Sequence, residues 1–177
     1  MSMTLIEHIE LGSAQNSITF TSIPQTYTDL LVVFSLRAVS GNHPSSSISL
    51  NTYGTGTYTR RQLAGSGSAA SSNTTTESEL YLSQIPAADN TANTFGNTQV
   101  YIPNYTSSAT KSLSADLVSE QNATQAYQAI TSGSWDQTAA VTSVSLQTYG
   151  RSINLAQYSS ATLYGITAGS DGTTTVS

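Results

Sequence analysis

Cysteine is absent from this chain, and histidine occurs only twice, at His8 and His43. Without thiols the protein has neither a disulfide framework nor a thiolate metal site, so its fold rests on packing alone. We expect His8 to be a packed or edge residue and His43 to be solvated in a loop. No G-x-S-x-G motif singles out one of the thirty serines as a nucleophile. The sequence therefore predicts no catalytic residue, no metal site and no cofactor.

Charged residues are scarce as well. They make up 8% of the chain, the net charge is −5, and Lys111 is the single lysine. Because no basic patch is available to neutralise a run of phosphates, we exclude nucleic acid as a partner. No window approaches the ~18 apolar residues of a membrane span, and Glu7, His8 and Glu10 interrupt the N-terminal segment where a secretory signal needs an apolar core. We expect neither membrane insertion nor a signal peptide.

Serine and threonine supply 57 of the 177 residues and separate short apolar segments. The densest of these segments, residues 27–39 (YTDLLVVFSLRAV), predicts the central strand of the fold. Residues 30–34 are all apolar, which places hydrophobic side chains on both faces of an extended strand. The β-branched Val32 and Val33 and the turn-prone flanks favour a strand over a helix. We predict that this strand is covered on both sides at one end.

Short alternating segments recur along the whole chain, with turn residues between them. Their inward-facing residues include Ile48 and Leu50, Leu80 and Leu82, Val100 and Ile102, and Val144 and Leu146. This pattern predicts an all-β protein, a jelly-roll-like antiparallel sandwich of two sheets with about 8–10 strands. We divide the chain into an N-terminal arm or edge strand (1–15), a β-sandwich domain (16–168) and a flexible tail (169–177).

Three segments fit this pattern less well, and we expect irregular backbone in each. Residues 65–76 (GSGSAASSNTTT) contain almost nothing to bury and predict an exposed, mobile loop. Asn122 is a candidate cap for a short helical turn over 123–130, which Gly133 ends. Val118 is out of phase in the strand over 111–120, as a β-bulge would make it.

Glu77 and Glu79 are a pair of carboxylates with a spacing that acid–base catalysis uses. On one strand face they stand about 7 Å apart, within the range found in glycosidases. The alternative is that both glutamates face solvent and keep a hydrophobic strand from aggregating. We favour this alternative because spacing alone is weak evidence for a site.

Ten tyrosines and one tryptophan are the remaining candidates for binding. Aromatic faces stack on pyranose rings, and outward-facing tyrosines also anchor protein interfaces, which is the interpretation that we favour. The candidate residues for an interface or a glycan contact are Tyr53, Tyr58, Tyr101, Tyr105, Tyr149 and Trp135.

Alternating apolar residues in the N-terminal segment TLIEHIEL predict an edge strand, or an arm that its own fold satisfies poorly. Such an arm pairs with a neighbouring subunit by strand addition. The candidate residues for strand exchange are Leu5, Ile6, Ile9 and Leu11.

Three long segments carry a resemblance to a known family: SITFTSIPQTYTDLLVVFSLRA at 17–38, VYIPNYTSSATKSLSADLVSEQNATQAYQAITSGSW at 100–135 and VTSVSLQTYGRSINLAQYSSATLYGI at 141–166. Together they resemble small virion-surface proteins of tailed bacteriophages, especially phages of cyanobacteria. An "sIP-tYtDL" strand, an "IPNY" strand and a final "YSSATLYGI" strand recur in that family. The resemblance implies a β-sandwich without enzymatic activity that either decorates and cements a capsid or forms a module of a tail fibre.

Within this resemblance, the short region before the shared pattern favours a capsid decoration protein, because fibre proteins usually bring a long N-terminal region for attachment. We expect the protein on the outer surface of the capsid as a homotrimer, with its own copies and the major capsid protein as partners. The alternative is a tail-fibre or adhesin module that binds host-surface glycan. A glycan hydrolase is the weakest interpretation.

Overall fold

The computed structural model describes residues 2–121 and 126–168. This part of the chain contains twelve β-strands and no α-helix, in agreement with the predicted all-β class. The strands are β1 (Ser2–Glu10), β2 (Ser17–Phe20), β3 (Asp29–Leu36), β4 (Ser45–Leu50), β5 (Tyr58–Gly65), β6 (Ala70–Glu77), β7 (Leu80–Gln84), β8 (Gly96–Ile102), β9 (Lys111–Ser119), β10 (Tyr127–Trp135), β11 (Val144–Thr148) and β12 (Ser160–Thr167). None of the described residues forms a helix long and apolar enough to cross a membrane.

Two antiparallel sheets enclose the core. One has eight strands in the order β1-β12-β3-β8-β9-β10-β5-β6, and the other has four in the order β2-β11-β4-β7. If β5, β6, β9 and β10 are set aside, eight strands remain and can be counted from first to eighth in chain order. The larger sheet then has the order first-eighth-third-sixth, and the smaller sheet has the order second-seventh-fourth-fifth. This order is that of a jelly roll, which is built from two Greek keys. The predicted two-sheet antiparallel sandwich is confirmed.

The four other strands are two hairpins inserted into the jelly roll, and they raise the strand number above the predicted range. The hairpin β5–β6 follows β4 in the chain, the hairpin β9–β10 follows β8, and both extend the larger sheet beyond β8. Strand β7 packs against this extension. Gly133 on β10 makes the approach possible, since a Cβ at this position would lie 2.5 Å from Leu80 Cδ2.

Strand β3 lies in the interior of the larger sheet, between β12 and β8, as expected for the densest apolar segment. Leu30, Val32 and Phe34 are buried between the sheets, whereas Leu31 and Val33 on the opposite side are only half-buried. The prediction of cover on both sides is therefore wrong. No further layer of the described residues lies on the outer face of this sheet.

Residues 65–76, predicted to form a loop, instead form a tight turn and a strand. A backbone hydrogen bond of 2.9 Å from Ser66 N to Ala69 O closes the turn. Strand β6 then pairs with β5 in continuous register. The loop prediction is wrong because β5 supplies a hydrogen-bond ladder that needs no apolar side chain from its partner. The predicted exposure is confirmed, since most residues of β6 are exposed.

Residues 127–130 belong to strand β10 and not to the predicted helical turn. Ala129 is buried and Ile130 points outward, which is the two-residue period of a strand. Ladders with β9 and β5 on both sides outweigh a weak helical pattern. The proposed cap, Asn122, lies outside the described residues, as does the predicted tail over 169–177.

Strand β1 forms one edge of the larger sheet by pairing with β12 of the same chain, with a register shift between Leu5 and Glu7. Ile6 and Ile9 pack partly buried against the core, and Leu11, just after the strand, is buried. The exchange of this segment between copies, and the division of the chain into arm, sandwich and tail, stay predictions.

Candidate functional site

The uncovered outer face of the eight-stranded sheet carries exposed apolar side chains. Leu63 on β5 and Ile130 on β10 are cross-strand partners. The alternation within each strand turns both away from the core, and they are 63% and 62% exposed. Val118 on β9 also points outward, without the predicted bulge, because β9 pairs with β8 and β10 in continuous register. We call Leu63, Val118 and Ile130 the apolar patch.

A shallow groove of about 360 Å³ borders the apolar patch and runs beside Leu63 and Ile130 to Ala70 at the start of β6. Two charged residues lie next to it. Arg61 is two residues before Leu63 on β5, and Asp116 is the cross-strand neighbour of Ile130. An exposed apolar surface with charges at its border is typical of a site for binding another macromolecule.

A second apolar group lies on the same face, closer to β1. The register aligns Leu5, Tyr164, Leu31 and Tyr101 across β1, β12, β3 and β8. Leu5 and Tyr101 are exposed, and the other two are half-buried. The Tyr101 hydroxyl donates to Asp29 Oδ2 at 2.6 Å, and this hydrogen bond, with burial and the nearby negative charge, raises the pKa of Tyr101. The bond fixes the position of the ring on this face.

The outer face of the four-stranded sheet is, in contrast, polar and closed. Glu79 lies here and is 2% exposed. Its carboxyl group accepts hydrogen bonds from Ser47 Oγ at 2.5 Å and Gln147 Nε2 at 2.9 Å. The other carboxyl oxygen accepts from the backbone N–H of Gly150 at 2.6 Å. The network ties β4, β11 and the turn after β11 to the residue that precedes β7.

A second network on the same side holds Glu77. Its carboxylate pairs with the guanidinium of Arg60 at 3.3 Å and accepts a hydrogen bond from Thr75. Arg60 lies 4.2 Å from the centre of the Tyr81 ring, which meets the Tyr149 ring edge-on at 5.8 Å. This series of contacts links Glu77, at the end of β6, to the exposed Tyr149.

These networks correct the interpretation of Glu77 and Glu79 as a solvent-facing pair. Strand β6 ends at Glu77, and a bend at the next two residues turns Glu79 onto the four-stranded sheet, so the two carboxyls do not share a strand face. Both carboxyls are held by structural partners, and both oxygens of Glu79 accept hydrogen bonds. The arrangement holds the fold together and presents no open carboxylate pair to a cleft.

Three of the six candidate aromatic residues are buried, so the prediction of a surface position is wrong for Tyr58, Tyr105 and Trp135. The rings of Tyr58 and Trp135 stack with their centres 6.2 Å apart, and Trp135 Nε1–H donates to Thr55 O at 2.8 Å. Tyr58 accepts from Leu50 N at 2.7 Å, and burial raises its pKa.

The error for Tyr58 is one of phase: β5 begins at this residue with its side chain directed inward. Tyr105 is a turn residue beyond β8, so its position does not follow from strand alternation. Its hydroxyl donates to Pro24 O. Each of the buried rings thus has a polar partner for its polar atom, as buried tyrosine and tryptophan require.

Tyr53, Tyr101 and Tyr149 are exposed, and the structure brings two of them to one place. The guanidinium of Arg151 lies 4.1 Å from the centre of the Tyr53 ring, and Arg151 is two residues after Tyr149. The turn between them has positive φ angles at Gly150 and Arg151, and the Glu79 hydrogen bond to Gly150 fixes it. Tyr101 lies apart from them, on the outer face of the eight-stranded sheet.

The two histidines differ in burial. His8 is exposed on β1 and its Nδ1 lies 2.8 Å from Thr162 Oγ1. His43, predicted to be solvated, is buried: its ring contacts the Gln121 side chain, Nδ1 lies 2.7 Å from Asn42 Oδ1, and the ring meets Tyr127 edge-on. Burial lowers the pKa of His43. Its loop folds back onto the end of the sandwich, which a local sequence window does not reveal.

The candidate strand-exchange residues have different environments within the chain. Leu5 points outward and is 56% exposed, whereas Ile6, Ile9 and Leu11 contribute to the core of their own subunit. Among the described residues no group of three or more histidine, aspartate or glutamate side chains is placed to hold a metal ion.

Sequence reasoning missed Leu63 and Ile130. The sequence pattern assigns no role to Leu63, and it places Ile130 at the end of the predicted helical turn over 123–130. The signal that could have found them is the two-residue alternation of YTRRQLAG and of YQAITSGSW, which places both side chains on the same outer face once the strands pair. Their pairing is long-range and does not follow from either segment alone.

No protein family, curated protein or solved structure matched this chain in our comparisons. The functional argument therefore rests on the geometry of the two outer faces and on the resemblance of the three sequence segments.

Proposed function

We propose that this protein is a structural, non-catalytic virion protein of a tailed bacteriophage, which decorates the capsid and cements it by contacts with the shell. The observation that carries this proposal is the uncovered apolar face of the eight-stranded sheet. Leu63 and Ile130 contribute nothing to the core, yet their exposure costs solubility, which favours a surface that a partner covers.

The positions of the resembling segments support the same proposal. Residues 17–38 contain β2 and β3, residues 100–135 contain β9 and β10, and residues 141–166 contain β11 and most of β12. The resemblance therefore covers four of the eight jelly-roll strands and one of the two inserted hairpins. That hairpin carries Val118 and Ile130 of the apolar patch.

The test uses phage heads that lack this protein. Purified protein is expected to cosediment with the heads and to raise the temperature at which they release DNA. The double variant Leu63→Thr/Ile130→Thr is expected to lose at least tenfold in affinity for the heads, since it removes most of the exposed apolar surface of the patch. Thr19→Ala, on the opposite outer face, is the matched control and is expected to bind as the wild type does.

Two results would contradict the proposal. One is wild-type protein that does not bind to the depleted heads. The other is a double variant that binds and protects them as well as the wild type does. A homotrimer on the shell is expected from the resemblance, and the mass of the released protein tests it separately.

A glycan-binding module of a tail fibre is the second candidate, and one observation favours it. Tyr53 follows β4, and Tyr149 and Arg151 follow β11, the two interior strands of the four-stranded sheet. Two exposed tyrosines with a guanidinium 4.1 Å from one of the rings suit stacking and hydrogen bonding to a sugar. Tyr149→Ala is expected to abolish binding to host cells if this candidate is correct. Tyr101→Ala, an exposed tyrosine on the other face, is the control.

A further inference from the structure

The two edges of the eight-stranded sheet are built differently. The β1 edge has a bulge between Leu5 and Glu7, and it carries the exposed ionisable residues Glu7, His8 and Glu10. Bulges and charges at an edge prevent the addition of another strand. Strand β1 is therefore a protected edge.

The β6 edge has none of these protections. Its eight residues pair with β5 without a register shift, and it contains no proline, lysine or arginine. The sequence ASSNTTTE is uncharged until Glu77, which turns to Arg60 at 3.3 Å. Seven consecutive residues of an uncharged and regular strand thus end the sheet with no neighbour among the described strands.

The turn that joins β5 to β6 shows which backbone groups are free. The Ser66 N to Ala69 O hydrogen bond makes these two residues a hydrogen-bonded pair. Because such pairs alternate along an antiparallel ladder, Asn73 bonds to β5, and the N–H and C=O groups of Ser72 and Thr74 point away from it. Ala70 and Thr76 belong to the same outward set. The outward groups form one side of a complete antiparallel ladder.

We propose that two copies of this chain associate through antiparallel pairing of β6 with β6 about a two-fold axis. In this register Asn73 faces Asn73 of the second copy, and Thr74 forms a hydrogen-bonded pair with Ser72 of the second copy. The outward groups of the two strands then make about eight backbone hydrogen bonds, two for each of four facing pairs. Glu77 faces Ala69 of the second copy, so no like charges oppose each other.

A second copy fits this edge better than an unrelated strand because β6 is complementary to itself. Across the axis Ser72 faces Thr74 and Ser71 faces Thr75, and cross-strand threonine and serine pairs stabilise a sheet. The pairing is isologous, the commonest arrangement in dimers. It also places the two apolar patches on the same side of one continuous sheet, with the two Leu63 side chains about 14 Å apart across the strands and offset by about 7 Å, two residues, along them.

This association does not depend on the proposed virion function, and it is a contact distinct from any three-fold one. A trimer that also pairs through β6 has the mass of a hexamer. A failure of the β6–β6 association and a failure of capsid binding are therefore separate results.

The first experiment measures the mass of the full chain by sedimentation over a range of concentrations. Wild-type protein is expected to show an even number of copies. Thr74→Pro removes an outward N–H but leaves the β5 ladder intact, and it is expected to halve the mass. Thr74→Val keeps the N–H and is expected to retain the wild-type mass. An odd number of copies for the wild type, or an unchanged mass for a folded Thr74→Pro variant, would overturn the proposal.

A cross-linking experiment tests the register and does not depend on the proline variant. The chain has no cysteine, so a single introduced thiol reports one contact. Residues 73 of the two copies form a non-hydrogen-bonded pair with Cα atoms about 4.5 Å apart, a distance that a disulfide spans. Asn73→Cys is expected to give a covalent dimer under mild oxidation. Ser71→Cys, which faces Thr75 of the second copy in this register, is the matched control and is expected to give no covalent dimer; the reverse result would overturn this pairing.

Discussion

The two outer faces of the sandwich invert the usual distribution of polar and apolar residues. On the side of the four-stranded sheet that faces away from the core, the polar residues Ser47, Glu79 and Gln147 are buried, and Ser47 and Gln147 both donate to Glu79. On the eight-stranded sheet, Leu63 and Ile130 point away from the core and are exposed. The first face stabilises the subunit, and the second is available for contacts with other molecules.

The polarity of a side chain therefore does not decide whether it is buried in this protein. A buried polar group stabilises only if its hydrogen bonds are made, and the network around Glu79 makes them. An exposed leucine alone is unremarkable, but cross-strand apolar partners on an uncovered sheet form a surface. The predictions below separate the residues that hold the fold from those that face a partner.

The largest expected effect contrasts the two sides of β3. Phe34 is 2% exposed in the core, so Phe34→Ala is expected to lower the free energy of unfolding by about 3–5 kcal/mol. The neighbouring Val33 points to the outer face and is half-buried, and Val33→Ala is expected to cost about 1 kcal/mol or less. Urea unfolding of both variants measures the difference. Similar losses for the two would show that the outer face is covered in the folded protein.

The next contrast compares one carboxyl from each outer face. Glu79→Ala removes the carboxyl group that accepts from the buried Ser47 and Gln147 side chains and from the Gly150 N–H, and it is expected to cost about 2–4 kcal/mol. Asp116→Ala, on the exposed face, is expected to change stability by less than about 0.5 kcal/mol. The midpoints of thermal unfolding give the comparison. An equal effect at the two positions would remove the distinction between a structural face and a contact face.

The sequence predicts the framework of this protein well because the framework is local. Strand alternation, set by side-chain direction, identifies the buried residues of β4, β7, β8 and β11 and the interior strand β3. It does not predict β6, whose hydroxyl-rich residues become a strand only because β5 lies beside them. The short helical pattern near Ile130 failed for the same reason.

The candidate site is less predictable, because its residues meet through long-range contacts. Glu79 and Lys111 are charged residues that composition places at the surface, yet both are buried. Lys111 Nζ donates to the carbonyls of Ser107 and Ala109 in the turn before β9, and burial lowers its pKa. The residue types of these segments do not indicate which carbonyls will lie beside Lys111 or which donors will lie beside Glu79 in the folded chain.

A smaller effect is expected from the apolar patch itself. Ile130→Thr keeps a β-branched side chain on the strand, and we expect it to change the free energy of unfolding by less than about 0.5 kcal/mol, since this residue is 62% exposed. Ile48→Thr, at a core position of β4, is the contrast and is expected to cost more than about 2 kcal/mol. Urea unfolding measures both. A large loss for Ile130→Thr would assign the patch to the stability of the subunit.

The smallest effect concerns the end of the sandwich, where His43 is buried against Gln121 and Tyr127. Burial lowers the pKa of His43 in the folded protein, so between that value and the ordinary value of about 6.5 the unfolded chain binds more protons. Stability is therefore expected to fall as the pH decreases below about 6.5, and the contribution of His43 stops changing below its folded-state pKa.

The variant His43→Asn is expected to reduce this pH dependence and is compatible with the backbone, because His43 has φ of 55° and asparagine tolerates that region. Urea midpoints measured from pH 5 to 8 give the slope. His8→Gln leaves His43 in place and is expected to retain the slope that His43 supplies. If His43→Asn and the wild type lose stability equally over this range, the buried histidine is not its source, and the carboxyl groups of the chain account for the loss.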